Sequence, residues 1–127
     1  MIVGIGTDIV TIERIKALYN KFPQRFVERL LTPGEREIAN SFDDENRRIQ
    51  HLAKRYAAKE AISKALGTGI GTETAFHDIV ITSQPGTNPI AKIDTKPEYK
   101  IHLSISDEIE HAIAFAVIEL IAPVSDS

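Results

Sequence analysis

With 127 residues, 43% of them hydrophobic and 26% charged, the chain has the make-up of one ordinary globular domain, which excludes a disordered polypeptide and two full-sized domains. A net charge of −3 excludes a global attraction to nucleic acid, and the absence of cysteine excludes a disulfide framework and thiolate metal sites. No apolar run approaches the roughly 18 residues that cross a bilayer, and the N-terminus enters as a strand without the pattern of a signal peptide, so a cytoplasmic protein without membrane or nucleic-acid partners is expected.

In chain order, Ile2 to Val10 reads as a strand with Ile2, Gly4, Gly6, Asp8 and Val10 on one face. The glycines leave that face nearly bare, with room for something beside the Asp8 carboxylate. A helix is predicted from Thr11 as N-cap, with Ile12, Ile15, Leu18, Tyr19 and Phe22 as its apolar stripe, ending at Pro23. A short helix covers Arg25 to Leu31, and Thr32-Pro-Gly-Glu35 is a capping-box signature that opens a third. Asp43-Asp-Glu45 begins a long helix running to about Leu66.

On that long helix Ile49, Ala53, Tyr56 and Glu60 share one sector at about 100° per residue, with Lys64 beside them. Ala58, Ile62 and Ala65 lie opposite, so the C-terminal half is apolar all round and is expected to be covered on both sides, by its own sheet and by another subunit. Gly67, Gly69 and Gly71 then end the helix and let backbone approach a ligand closely. The rest reads as strands over Asp78 to Ser83, Pro89 to Ile93, Lys100 to Ser106 and Ala112 to Ile121, the last apolar on both faces apart from Glu119 and hence central. Pro85 to Pro89 is a turn. The fold class is α+β: helices of the first half packed on an antiparallel sheet around a long helix, in one domain over residues 1–122 with a flexible tail over 123–127.

Two acids stand where a carboxylate is locally expensive: Asp8 after the glycines and Glu60 within an apolar stripe. Two readings fit. The pair holds a divalent cation that completes its shell with water and phosphate oxygens, or Asp8 caps the following turn while Glu60 pairs with Lys64 one helical turn on. Lys64, next to the glycine run, is placed to meet a phosphate, whereas Lys54 and Lys59 read as a solvated helix surface. The glycine run matches no phosphate-loop pattern, because it follows a helix and lacks the closing Gly-Lys-Ser/Thr. Between positions 14 and 29, Arg14, Lys16, Lys21, Arg25 and Arg29 face a single acid, Glu28; this is either a patch for an acidic partner or a solvated helix face. The four histidines have no ligand spacing, so zinc is not expected, although His102 shares a face with Ser104 and Ser106.

Taken together, Gly4-Ile-Gly-Thr-Asp-Ile-Val10, Arg25-Phe-Val-Glu-Arg29 with Leu31-Thr32 and Glu35, Arg55-Tyr-Ala-Ala-Lys-Glu-Ala61, Lys64-Ala-Leu-Gly-Thr-Gly-Ile-Gly71 and His102-Leu-Ser-Ile-Ser-Asp107 resemble the small bacterial class of 4′-phosphopantetheinyl transferases, the holo-acyl-carrier-protein synthases. The motifs stand in family order over nearly the whole chain, and jointly they are specific. The resemblance implies an enzyme that transfers the phosphopantetheine arm of coenzyme A to a serine of apo-acyl carrier protein for fatty acid biosynthesis, releasing adenosine 3′,5′-bisphosphate. It implies magnesium on Asp8 and Glu60, with Glu60 and Lys64 catalytic and either Glu60 or a metal-bound water taking the serine proton. Arg47, Arg55, Lys64, Gly67 and Ser106 would contact coenzyme A, and Arg14, Lys21, Arg25 and Arg29 would dock the acidic carrier. It further implies a homotrimer with active sites at subunit interfaces. Asp107 stands where some members have histidine, and no phosphate-binding role is assigned to it. The rival readings are a non-catalytic carrier-protein binding module, which predicts a missing acid, and a magnesium-dependent nucleotide hydrolase, which no motif supports.

Overall fold

A computed structural model describes residues 1–67, 76–83 and 86–121. Gly69, Gly71, Pro85 and the tail 123–127 lie outside the described residues. The elements are β1 (Ile2–Thr11), α1 (Ile12–Lys21), α2 (Pro23–Leu30), α3 (Pro33–Asn40), α4 (Glu45–Leu66), a short 3-10 turn (Phe76–Asp78), β2 (Ile79–Thr82), β3 (Ile90–Ile93), β4 (Tyr99–Asp107) and β5 (His111–Leu120). They form one five-stranded antiparallel sheet in the order β1-β5-β4-β3-β2, so the first and last strands are neighbours and β5 is interior, between β1 and β4, with only one of its two apolar faces covered.

The helix boundaries follow local chemistry. The Thr11 hydroxyl accepts from the Arg14 amide and starts α1. Pro23 opens α2 at its first turn, two residues earlier than Arg25, because proline at that position lacks only an N–H that would have no helical partner. Thr32 and Glu35 close a full capping box on α3. Asp44 caps α4, and Gly67, at φ 80°, ends it in the left-handed region that favours glycine. Asp78 belongs to the 3-10 turn and not to the strand that follows.

Helix α4 lies across the sheet. Gly4, Gly6, Asp8 and Val10 of β1 are in register with Ile118, Ala116, Ala114 and Ala112 of β5, which places these positions on the face that α4 covers. A Cβ at Gly4 would collide with the Ala65 carbonyl, and one at Gly6 with the Ala61 carbonyl. The space left by the glycines is therefore filled by helix backbone and is not room for a ligand. The other side of α4 is covered by α1, α2 and α3 of the same chain, so both its faces are buried without a second subunit. The uncovered surface is the opposite face of the sheet, where Val3, Ile5, Ile9, Ile113 and Phe115 are exposed.

Candidate active site

Close packing of α4 on glycine brings Asp8 beside the helix two turns from its C-terminus. The Lys64 ammonium donates to Asp8 Oδ1 at 2.9 Å and to the Thr7 carbonyl at 3.1 Å. Glu60 is half-buried. Its carboxyl is held above the ordinary range first by loss of water and then by the negative charge of Asp8, against the opposing charges of Lys64, Arg14 and Arg29. Asp8, Glu60 and Lys64 thus form one electrostatic unit, with the lysine bonded to Asp8 and not to Glu60 one turn before it. Among the described residues no group of three or more His, Asp or Glu could hold a metal, so an all-protein cage is absent. Two coupled carboxylates, one of which lines a cavity, still fit a hard cation such as magnesium, which keeps waters and takes phosphate oxygens for the rest of its shell.

Glu60 sits at the rim of a cavity of about 300 Å³, together with Arg14 and Arg29. Its floor is aromatic: Tyr56 stacks with Phe26 at 6.4 Å and meets Phe76 at 5.6 Å between ring centroids. The Arg14 guanidinium rests 5.7 Å from the Tyr56 ring centroid and donates to its hydroxyl at 3.5 Å. Burial and the charge of Glu60 push the Tyr56 hydroxyl up. Sequence periodicity places Tyr56 in the stripe of Glu60 but reads it as core; the available signal is that an aromatic hydroxyl one turn before an acid needs a polar neighbour.

The four expected docking residues divide in two. Arg14 and Arg29 line the cavity, while Lys21 and Arg25 flank the exposed Phe22 ring, 5.6 and 5.4 Å from its centroid. The residues expected at coenzyme A do not gather at the cavity. Arg47 is exposed near the start of α4, Gly67 caps its end, and Ser106 lies on the uncovered sheet face, in register with Ile113. Arg55 is buried and donates to Ser83 Oγ at 3.0 Å.

Lys59 corrects the expectation of a solvated surface: it is completely buried. Its ammonium donates to the Leu30 carbonyl at 2.8 Å, Glu35 Oε1 at 2.7 Å and the Phe76 carbonyl at 2.9 Å, which uses all three of its donors. Burial pushes the Lys59 ammonium below the usual lysine range, opposed by the bond to Glu35. The other Glu35 oxygen accepts from the Ile81 amide at 2.9 Å. The capping-box acid therefore also ties α3 to α4 and to β2, which no local pattern announces.

This fold and site define a class of enzyme: the chain belongs to the 4′-phosphopantetheinyl transferase superfamily, whose ACPS family model matches residues 4–117. Its relatives narrow the kinship. The chain is 47% identical over 119 residues to the holo-[acyl-carrier-protein] synthase of Ehrlichia canis (strain Jake), covering 93% of this chain and 94% of the relative. It is 46% identical over 119 residues to the holo-[acyl-carrier-protein] synthase of Staphylococcus aureus (strain JH9), covering 94% and 97%. In structure it resembles the holo-(acyl-carrier-protein) synthase of Bacillus anthracis str. Ames in complex with CoA (3′,5′-ADP), with a TM-score of 0.84 and 43% identity over 94% of this chain and 98% of the other.

Proposed function

We propose that the protein transfers the 4′-phosphopantetheine group of coenzyme A to a serine of an apo-acyl carrier protein for fatty acid biosynthesis, releasing adenosine 3′,5′-bisphosphate. The observation that carries this reading is the coupling of Asp8, Glu60 and Lys64, with Glu60 also lining a cavity beside Arg14 and Arg29. Asp8 and Glu60 would hold magnesium. When bound, the cation supplies electrophilic pull on the pyrophosphate and charge stabilisation for the leaving phosphate. Glu60, or a water held by the cation, would accept the proton of the attacking serine. Lys64 offers a mobile point charge to the donor's phosphates. Arg14 and Arg29 at the cavity and Lys21 and Arg25 around Phe22 present an approach surface to an acidic carrier.

The uncovered apolar sheet face supports a homotrimer with active sites between subunits, in which Arg47, Gly67 and Ser106 meet coenzyme A across an interface while Arg55 stays buried on Ser83. A cytoplasmic setting agrees with a cysteine-free chain in which, among the described residues, no helix is long and apolar enough to cross a membrane. A non-catalytic binding module would not need Asp8 and Glu60 to share one site. The test is the mass of an apo-acyl carrier protein after incubation with the protein, coenzyme A and magnesium. A gain of one phosphopantetheine, abolished by chelator, is expected. A panel of folded carriers that all stay unmodified would move the binding module ahead.

A further inference from the structure

Among the described residues Lys64 is the one cation bonded to either acid, and the ion pair is unevenly exposed: the Asp8 side chain is 14% exposed and that of Lys64 53%. The ammonium therefore reaches inward from a solvated stem, anchored by Asp8 and the Thr7 carbonyl. A second positive charge arriving at Asp8 Oδ1 meets the ammonium already 2.9 Å from that oxygen. Glu60 has no ion-pair partner within 4.0 Å among the described residues and feels Lys64, Arg14 and Arg29 only at longer range, whereas Asp8 already holds an ammonium on its Oδ1. The anchor is also easily released. It is a partly exposed ion pair of modest strength on a flexible side chain, and its departure needs no movement of α4 or of the Gly67 cap.

We propose that Lys64 is a stand-in cation: in the unloaded site it neutralises Asp8, and divalent-metal binding and release of the Lys64 ammonium are one exchange. The freed ammonium is then available to the donor's phosphates, a consequence that alone rests on the proposed transferase reading. The exchange keeps Asp8 neutralised at every stage and delivers the lysine charge only when the metal is in place.

Manganese alone, titrated into the intact protein without coenzyme A and followed as free Mn²⁺ by electron paramagnetic resonance, tests the exchange. Lys64→Met is expected to bind Mn²⁺ more tightly than wild type by about fivefold, near the upper end of what a partly exposed ion pair is worth. Lys64→Arg, which restores a competing positive charge, is expected to return affinity toward the wild-type value, and Asp8→Asn to weaken it. Equal or weaker binding by Lys64→Met overturns the exchange, since Lys64 then either ignores the metal or holds Asp8 ready for it. No Mn²⁺ binding by either protein overturns it as well. The carrier-mass assay separates the two readings. Phosphopantetheine transfer with unchanged Lys64→Met affinity sinks only the exchange, whereas tighter Lys64→Met binding without transfer by wild type sinks only the transferase.

Discussion

Lys59 and Glu60 are neighbours on α4 with opposite environments, and side-chain direction alone separates them. Glu60 turns to the cavity, where burial and then the charge of Asp8 hold its carboxyl above the ordinary range. Glu60→Gln is expected to lower transfer by about a hundredfold or more, the scale of a lost general base, with the circular dichroism spectrum unchanged. Lys59 turns inward to Leu30, Glu35 and Phe76. Lys59→Met would leave Glu35 without its cation and two carbonyls without their donor. The expected loss is about 3–5 kcal/mol of stability, read as a lower urea midpoint. His51 adds a pH term. It is buried against Phe42, and burial first, then the charges of Arg55 and Lys54, lower its pKa from 6.5 to about 4. The unfolded chain therefore binds the extra proton before the folded one does. Stability should fall as pH drops from 6.5 toward 4, by up to about 3 kcal/mol from this residue. His51→Phe, which keeps a ring beside Phe42, should flatten that limb of the urea-midpoint curve. The acid at position 60 was legible in the sequence because it interrupts an apolar stripe; the buried lysine beside it was not, because its acceptors come from positions 30, 35 and 76.

At the scale of elements, the contact of β1 with α4 decides where Asp8 stands. Gly6 meets the Ala61 carbonyl, so Gly6→Ala must push strand and helix apart. Overpacking of this kind costs about 1–3 kcal/mol or more, and Asp8 lies only two residues further along the strand. A lower urea midpoint and a transfer rate reduced beyond the stability loss at permissive temperature are expected. Helix starts, caps and strand periodicity were readable because they depend on near neighbours: Thr11, Thr32 with Glu35, Asp44 and Gly67 all act within one turn. The meaning of the β1 glycines was readable only as bare space. That helix backbone fills it follows from a pairing of residues 4 and 6 with 61 and 65, far apart in the chain.

For the whole molecule, the sheet has one face under α4 and one face open, and the open face carries Val3, Ile5, Ile9, Ile113 and Phe115. Such a face in water favours self-association. Ile5→Glu is expected to shift the protein to monomer in sedimentation velocity while leaving the helix signal intact. Loss of transfer along with assembly would mark active sites shared between subunits; full transfer by the monomer would place the whole site in one chain.

Composition, periodicity and caps by themselves determined an α+β chain with a long central helix and an interior last strand, and marked two acids and a run of basic residues as candidates, because these properties rest on the order of neighbouring residues. Tertiary structure decided which of them meet. It joined Lys64 to Asp8, set Arg14 on Tyr56, buried Lys59 in the core and split the basic patch between the cavity and Phe22. Those contacts span many residues of chain, and only the packing of α4 between the sheet and α1–α3 brings their atoms within reach.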